Sequence, residues 1–150
     1  MQPPRILESF DELQLGQEFD FGSITMQLEE ILAFARQFDA QPIHLDAVAA
    51  AGSIYGGLIA SGLHTQSACF GHVIRSRIFE KISMGGSGME INWPAPVRPG
   101  DEINVSLRIE SLTPSRSKPD RGIVKHCITG RRVPDGQVLI EIRGVMFAKR

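Results

Sequence analysis

The sequence predicts an α+β domain, in which a long central helix is wrapped by an antiparallel sheet of about five strands. Two patterns carry this prediction. Apolar residues recur at helical spacing in the first half of the chain, and after Gly88 the pattern changes to the alternation of strands. A chain of 150 residues can bury one core but is short for two. We therefore expect a single domain over residues 1–150.

The helical pattern is clearest over residues 28–38, where apolar side chains recur every three or four positions and would share one face. Pro42 restricts the residue before it and cannot continue a helix, so this helix should end shortly before it. Asp39 then lies at a helix exit and His44 in the turn that follows. A short helical turn at 47–51 precedes a second helix, which we predict from about Ile59 to Ile82.

The strand pattern fills the second half of the chain. Residues 102–112 alternate apolar and polar side chains, as expected when one face of a sheet is dry and the other wet. Pro, Gly or Asp turn signals bound each segment. The predicted strands are Met89–Trp93, Glu102–Leu112, Gly122–Gly130 and Val138–Ala148, with a short strand near Phe19–Met26.

Composition narrows the class of protein. Hydrophobic residues make up 42% and charged residues 22% of the chain, which is ordinary for a globular protein. The sequence has neither a signal-peptide pattern nor a run of about 18 apolar residues, so we expect a cytoplasmic protein that does not enter a membrane. A net charge of −1 argues against a nucleic-acid partner. Cys69 and Cys127 match no metal-ligand spacing, and we expect them to be buried, without a disulfide or a zinc site.

The charge is unevenly distributed. Residues 1–74 carry two basic and nine acidic side chains, whereas residues 75–150 carry fourteen and eight. The basic half suits a polyphosphate ligand, with Arg116, Lys118 and Arg121 of the polar loop as candidates for its phosphates. The alternative is that these side chains form solvated faces of strands and turns.

A carboxylate and a histidine stand five residues apart at Asp39 and His44, on either side of Pro42. A turn of this kind can place both side chains on one concave side, where they can accept and donate protons. The alternative is that Asp39 only accepts hydrogen bonds from turn amides.

A glycine-rich segment, Gly56–Gly62, leads into the long helix. The first backbone N–H groups of a helix have no partner inside it and lie in a positive field, so they can polarise a carbonyl oxygen such as that of a thioester. The alternative is that the glycines only let the helix pack closely under the sheet.

Three segments together resemble a known family: Asp39-Ala-Gln-Pro-Ile-His44-Leu-Asp46, Ile59-Ala-Ser-Gly62-Leu63, and Trp93-Pro-Ala-Pro-Val97-Arg-Pro-Gly-Asp101. In order and spacing they are similar to the MaoC-like dehydratase family, which includes the (R)-specific enoyl-CoA hydratases. The resemblance runs from about Leu15 to Ala148. It implies a hot-dog fold, a 2-enoyl-CoA substrate, hydration to the (R)-3-hydroxyacyl-CoA, at least a homodimer, and no metal or redox cofactor.

Residue by residue, the resemblance makes Asp39 and His44 the hydratase pair and the Gly62 amide the donor to the thioester carbonyl. Gln41 stands where many members have Asn, and Ser61 where they often have His. Some members support the carboxylate with a serine at the position of Phe70. Here we expect that support from Ser67 or Thr65.

The same resemblance leaves the acyl group open. We expect Ser61 to contact the substrate, and Ile54, Tyr55 and Leu58 to line an acyl pocket.

Two other functions remain possible at this point. A hot-dog thioesterase usually needs a helix carboxylate to direct water, and residues 62–79 contain none. A non-catalytic acyl-CoA-binding protein would have no need of Asp39 and His44. We expect His64 to serve packing and Trp93 to lie in the core rather than to stack on a ligand.

Overall fold

The computed structural model describes residues 5–150, which form five strands and four helices in the order one strand, four helices, four strands. A 3₁₀ turn at Phe10–Glu12 precedes them. The elements are β1 (Glu18–Thr25), α1 (Leu28–Phe38), α2 (Pro42–Leu45), α3 (Ala47–Ala51), α4 (Gly62–Arg75), β2 (Ser83–Asn92), β3 (Glu102–Pro114), β4 (Arg121–Val133) and β5 (Val138–Lys149).

The strands form a single antiparallel sheet in the order β1-β3-β4-β5-β2. Helix α4 lies on one face of it and contacts β1, β3, β4 and β5. A central helix wrapped by a five-stranded sheet is the predicted hot-dog arrangement, and the predicted number of strands is confirmed.

The core lies between α4 and the inner face of the sheet. Cys69 and Val73 of α4 are buried against sheet residues such as Val105, Ile128 and Ile142, each almost fully excluded from solvent. The predicted alternation of β3 is confirmed over residues 103–109, because Ile103, Val105, Leu107 and Ile109 are buried and the intervening residues are not. Burial raises the pKa of the Cys69 thiol to about 12, so this cysteine is an unreactive core residue.

The long helix is shorter than predicted. Residues 59–61 are extended instead, because the Ala60 N–H bonds the Val97 carbonyl at 2.8 Å and ties this stretch to the chain before β3. At the other end, Arg77 has a φ of 63°, which a helix cannot contain. Apolar residues continue on both sides of α4, and this continuity made the sequence-based helix too long.

Strand β2 begins six residues earlier than predicted, at Ser83. Its first half is rich in glycine and pairs irregularly with β5, with register shifts between Ser83 and Gly88. Glycine weakens a strand signal, although it permits such bulges. All of β2 except Ile91 is exposed, so this strand is an open edge of the sheet.

The chain turns sharply between α1 and α2. The Asp39 N–H still bonds the Ala35 carbonyl at 2.9 Å, so Asp39 ends α1. Pro42 occupies the first position of α2, where its missing N–H costs nothing. His44 lies within this single helical turn and is buried. Over residues 5–150, helices long and apolar enough to cross a membrane are absent.

Candidate active site

A cleft of about 480 Å³ opens at the N-terminal end of α4. Its walls come from the α1–α2 turn, the extended stretch that leads into α4, and the segment between β2 and β3. The lining residues are Asp39, Gln41, Ile43, His44, Tyr55, Ile59, Ala60, Ser61, Gly62, Leu63, Thr65 and Trp93–Val97.

Asp39 and His44 face each other in this cleft, with 3.2 Å between Oδ2 of the carboxylate and Nε2 of the ring. The His44 side chain is 5% exposed and that of Asp39 is 18% exposed. Their sequence-predicted proximity is confirmed. The two side chains meet because α1 ends at Asp39 and α2 begins at Pro42, so the chain changes direction within a short turn.

A backbone carbonyl orients the histidine ring. Nδ1 of His44 lies 2.8 Å from the carbonyl oxygen of Ile59. A carbonyl oxygen only accepts, so Nδ1 carries a proton and donates it. Nε2 is therefore the ring nitrogen that faces Asp39 and the cleft.

Two side chains hold the carboxylate of Asp39. Gln41 Nε2 donates to Oδ1 at 2.7 Å, and Ser61 Oγ donates to Oδ2 at 2.7 Å. These two hydrogen bonds, Gln41 first, and the neighbouring His44 lower the pKa of Asp39 below its ordinary value. The carboxylate is thus ionised at neutral pH and fixed in orientation.

The prediction that Ser67 or Thr65 supports the carboxylate of Asp39 is wrong. Ser67 is exposed on α4, away from the carboxylate. Thr65 lines the cleft, but its hydroxyl donates to the carbonyl of Ser61 at 3.4 Å. The support comes instead from Gln41 and Ser61, two of the three positions where this chain departs from the common pattern of the family that it resembles.

Helix α4 begins at Gly62 with its N-terminus toward the cleft. Ser61, which is 1% exposed, also caps the helix by accepting from the Leu63 N–H at 3.3 Å. Within residues 5–150 the Gly62 N–H has no protein acceptor. It remains a free donor in the positive field of the helix start.

Trp93 does not lie in the core, contrary to the prediction. It is 48% exposed and lines the cleft, where Nε1 donates to the Gly62 carbonyl at 3.0 Å. A tryptophan in an apolar segment next to a strand reads like a core residue, so its sequence context did not signal this exposure.

The predicted substrate contacts are only partly brought together. Ser61 and Tyr55 line the cleft beside Gly62. Ile54 does not line it, since its side chain projects from the surface and is 94% exposed. Leu58 lies outside the lining as well, half-buried against the main core.

Arg116, Lys118 and Arg121 do not line the cleft, and their contact with coenzyme A phosphates stays a prediction. The 114–121 turn lies at the opposite end of β3 from Glu102, whereas the cleft borders the segment before β3. Near the cleft instead are Arg98, which donates to the Tyr55 carbonyl, and Arg132, which donates to the Pro96 carbonyl at 3.0 Å. Both brace its backbone walls.

His64 serves packing, as predicted. Its ring stacks on Phe34 with centroids 4.9 Å apart, and burial lowers its pKa. Over residues 5–150, no three His, Cys, Asp or Glu side chains are grouped to bind a metal ion.

Comparison with known proteins identifies the family of the chain. A MaoC-like dehydratase from Rhodospirillum rubrum is 36% identical, with a TM-score of 0.88 over 95% of this chain and 97% of its own. The R-hydratase PhaJ1 of Pseudomonas aeruginosa, 19% identical, shares the fold, with a TM-score of 0.77 over 95% and 86% of the two chains. YdeM of Bacillus subtilis, an uncharacterized protein, is 29% identical over 72% of this chain and 77% of its own. The family model described as the MaoC like domain matches residues 11–129, and the chain belongs to that family.

Proposed function

We propose that this protein is an acyl-CoA hydratase that adds water reversibly across the double bond of a 2-enoyl-CoA to give the (R)-3-hydroxyacyl-CoA. One observation carries the proposal. An ionised Asp39, an oriented His44 and the free N–H of Gly62 line the same cleft. Hydration of an enoyl thioester needs an acid–base pair and a carbonyl-polarising donor.

Gly62 supplies the electrophilic half of the reaction. Its N–H would donate to the thioester oxygen, where negative charge develops as water adds, in the favourable field of the α4 N-terminus. Polarising that carbonyl withdraws electrons from the conjugated double bond and makes the β-carbon electrophilic.

Asp39 and His44 supply the proton transfers. A water bound beside Oδ2 and Nε2 would lose a proton to the pair as its oxygen bonds to the β-carbon. The electrons of the double bond move onto the thioester as an enolate, and the α-carbon then takes a proton back from the pair. The two groups lie 3.2 Å apart, so a proton can pass between them and the transfers are assigned to the pair. This reaction consumes only the enoyl thioester and water, and it requires no cofactor.

Hydrolysis of the thioester is the less favoured reaction. A thioesterase directs water at the carbonyl carbon, usually with a carboxylate on the central helix. Helix α4 carries no Asp or Glu over Gly62–Arg75. Asp39 instead lies beside the helix start and faces His44.

The test is hydration of crotonyl-CoA, followed by loss of its enoyl absorbance and, in parallel, by release of free thiol. We expect hydration without thiol release. Asp39→Asn and His44→Ala should each lower the rate at least about a hundredfold, the scale of losing a general acid or base. Asp46→Asn is the matched control, because Asp46 only caps α3 and asparagine caps equally well. Full activity in both site variants would refute the proposal, and thiol release would identify a thioesterase.

We also propose that two copies pair through β2. Every β2 residue except Ile91 is exposed, including the large apolar Met84 and Met89 at 43% and 48%. An open strand edge with apolar side chains is a surface that a second strand can cover. A homodimer joined at this edge would extend the sheet.

A further inference from the structure

We infer that Trp93 is a substrate-contacting residue, whose indole forms the platform on which the planar enoyl thioester lies. This inference rests on the proposed hydratase function and names a contact of the same cleft. The first observation is the exposure of the indole: Trp93 is the only tryptophan of the chain, yet it is 48% exposed. Tryptophan is highly buried on average, and a wet indole in a cleft marks a surface that a ligand covers.

The indole is fitted to the helix start. A Cβ atom added to Gly62 would lie 2.5 Å from Cε2, 2.7 Å from Nε1 and 2.9 Å from Cζ2 of Trp93. No side chain other than hydrogen fits there unless the ring moves. The edge of the ring also donates from Nε1 to the Gly62 carbonyl at 3.0 Å. Trp93 is thereby held against the residue whose N–H would bind the thioester oxygen.

The backbone that carries Trp93 is braced as well. Pro94 and Pro96 restrict its conformations. The Val97 carbonyl accepts from the Ala60 N–H at 2.8 Å, which joins this segment to the one leading into α4. A rigidly held aromatic ring contacts a ligand at little cost in side-chain entropy.

The chemistry of the substrate matches such a surface. An enoyl thioester is flat from its β-carbon to its sulfur, because the double bond is conjugated with the carbonyl. The hydrated product is tetrahedral at the β-carbon and lacks this flat face. An indole beside Gly62 thus favours the unsaturated thioester over a saturated one, and it excludes water from that side of the carbonyl.

Because Trp93 is the sole tryptophan, its emission reports on the cleft directly. The Asp39→Asn variant is used so that crotonyl-CoA binds without being consumed. We expect saturable quenching of emission by crotonyl-CoA, weaker quenching by butyryl-CoA, and none by free coenzyme A at the same concentration. A purely structural indole would give no such difference among these three probes.

Kinetics of substitutions at position 93 complete the test. Trp93→Leu should raise KM for crotonyl-CoA by about tenfold, whereas Trp93→Phe should stay within about threefold because a ring remains. Thermal unfolding of both variants separates lost packing from lost binding. Suppose that the wild type hydrates crotonyl-CoA, that the probes leave the Trp93 emission unchanged, and that Trp93→Leu has an unchanged KM. This result would refute substrate contact by Trp93 and would leave the proposed hydratase function intact. If the wild type does not hydrate crotonyl-CoA but the acyl-CoA probes quench the Trp93 emission, the hydratase function is refuted and the contact of Trp93 with the acyl-CoA is supported.

Discussion

Ser61 and Asp39, 22 residues apart, are joined by a hydrogen bond of 2.7 Å from Oγ to Oδ2. The same carboxylate oxygen faces Nε2 of His44 at 3.2 Å. One hydroxyl thus orients the oxygen that would exchange protons in the proposed reaction, while it caps the helix whose first N–H would bind the thioester. The acid–base half and the electrophilic half of the site meet at this serine.

Ser61→Ala should make the proposed hydratase activity more sensitive to acid. The hydroxyl lowers the pKa of Asp39, so its removal raises that pKa and the ionised carboxylate is lost at a higher pH. We expect the acidic limb of kcat/KM to move to higher pH, with about tenfold lower activity at neutral pH, since a hydrogen bond to a charged group contributes about 1.5 kcal/mol or more. Ser67→Ala is the matched control on an exposed face of α4. An unmoved acidic limb would mean that Asp39 does not set it.

Gln41→Leu should shift the acidic limb of the pH–rate profile to a higher pH than Ser61→Ala does. The Gln41 amide is the largest influence that lowers the pKa of Asp39, and leucine keeps most of its volume without a donor. The two substitutions act on different oxygens of the carboxylate, so combining them should displace the limb more than either alone. pH–rate profiles of the three variants measure this order. A larger displacement in Ser61→Ala than in Gln41→Leu would contradict it.

Gly62→Ala should destabilise the protein in a way that depends on Trp93. The added methyl group meets the indole at 2.5 Å, and overpacking of this kind typically costs about 1–3 kcal/mol. In a Trp93→Leu background the same change should cost clearly less. A double-mutant cycle of urea unfolding measures the coupling. Equal costs in the two backgrounds would show that the indole does not pack on Gly62 in solution.

Sequence reasoning predicted what depends on periodicity and local turn chemistry. Helix 28–38 and the contact of Asp39 with His44 fall in this class, because Pro42 dictates the turn between them. Contacts between distant segments had no local signal. Trp93 looked like any core aromatic, and nothing near Ser61 in the chain indicated that it would reach Asp39.

Replacing Met84 and Met89 together by Glu should prevent dimer formation. Both side chains are exposed on the open edge strand β2, and charges buried between paired edges repel each other. Light scattering should give a mass near the 16.5 kDa of one chain instead of twice that value. Val48→Glu, at an 84% exposed apolar position on α3, serves as control. A double variant that stays dimeric would place the interface on another surface.

Gly122→Ala should lower stability without changing catalysis. A Cβ atom at position 122 would lie 2.4–2.5 Å from three ring atoms of Phe10, which is 4% exposed. Phe10 belongs to the 3₁₀ turn, so the methyl group would force this turn off the start of β4. We expect a loss of about 1–3 kcal/mol in the free energy of unfolding.

The control for that loss is Gly52→Ala, where the added Cβ meets only the Ala49 carbonyl oxygen at an ordinary 3.6 Å. Activity should be kept in Gly122→Ala because position 122 pairs with Pro114, at the end of β3 remote from the cleft. In a Phe10→Leu background, where the ring is absent, Gly122→Ala should lower the free energy of unfolding by less. If Gly122→Ala unfolds at the same urea concentration as the wild type, the ring of Phe10 does not pack against position 122 in solution.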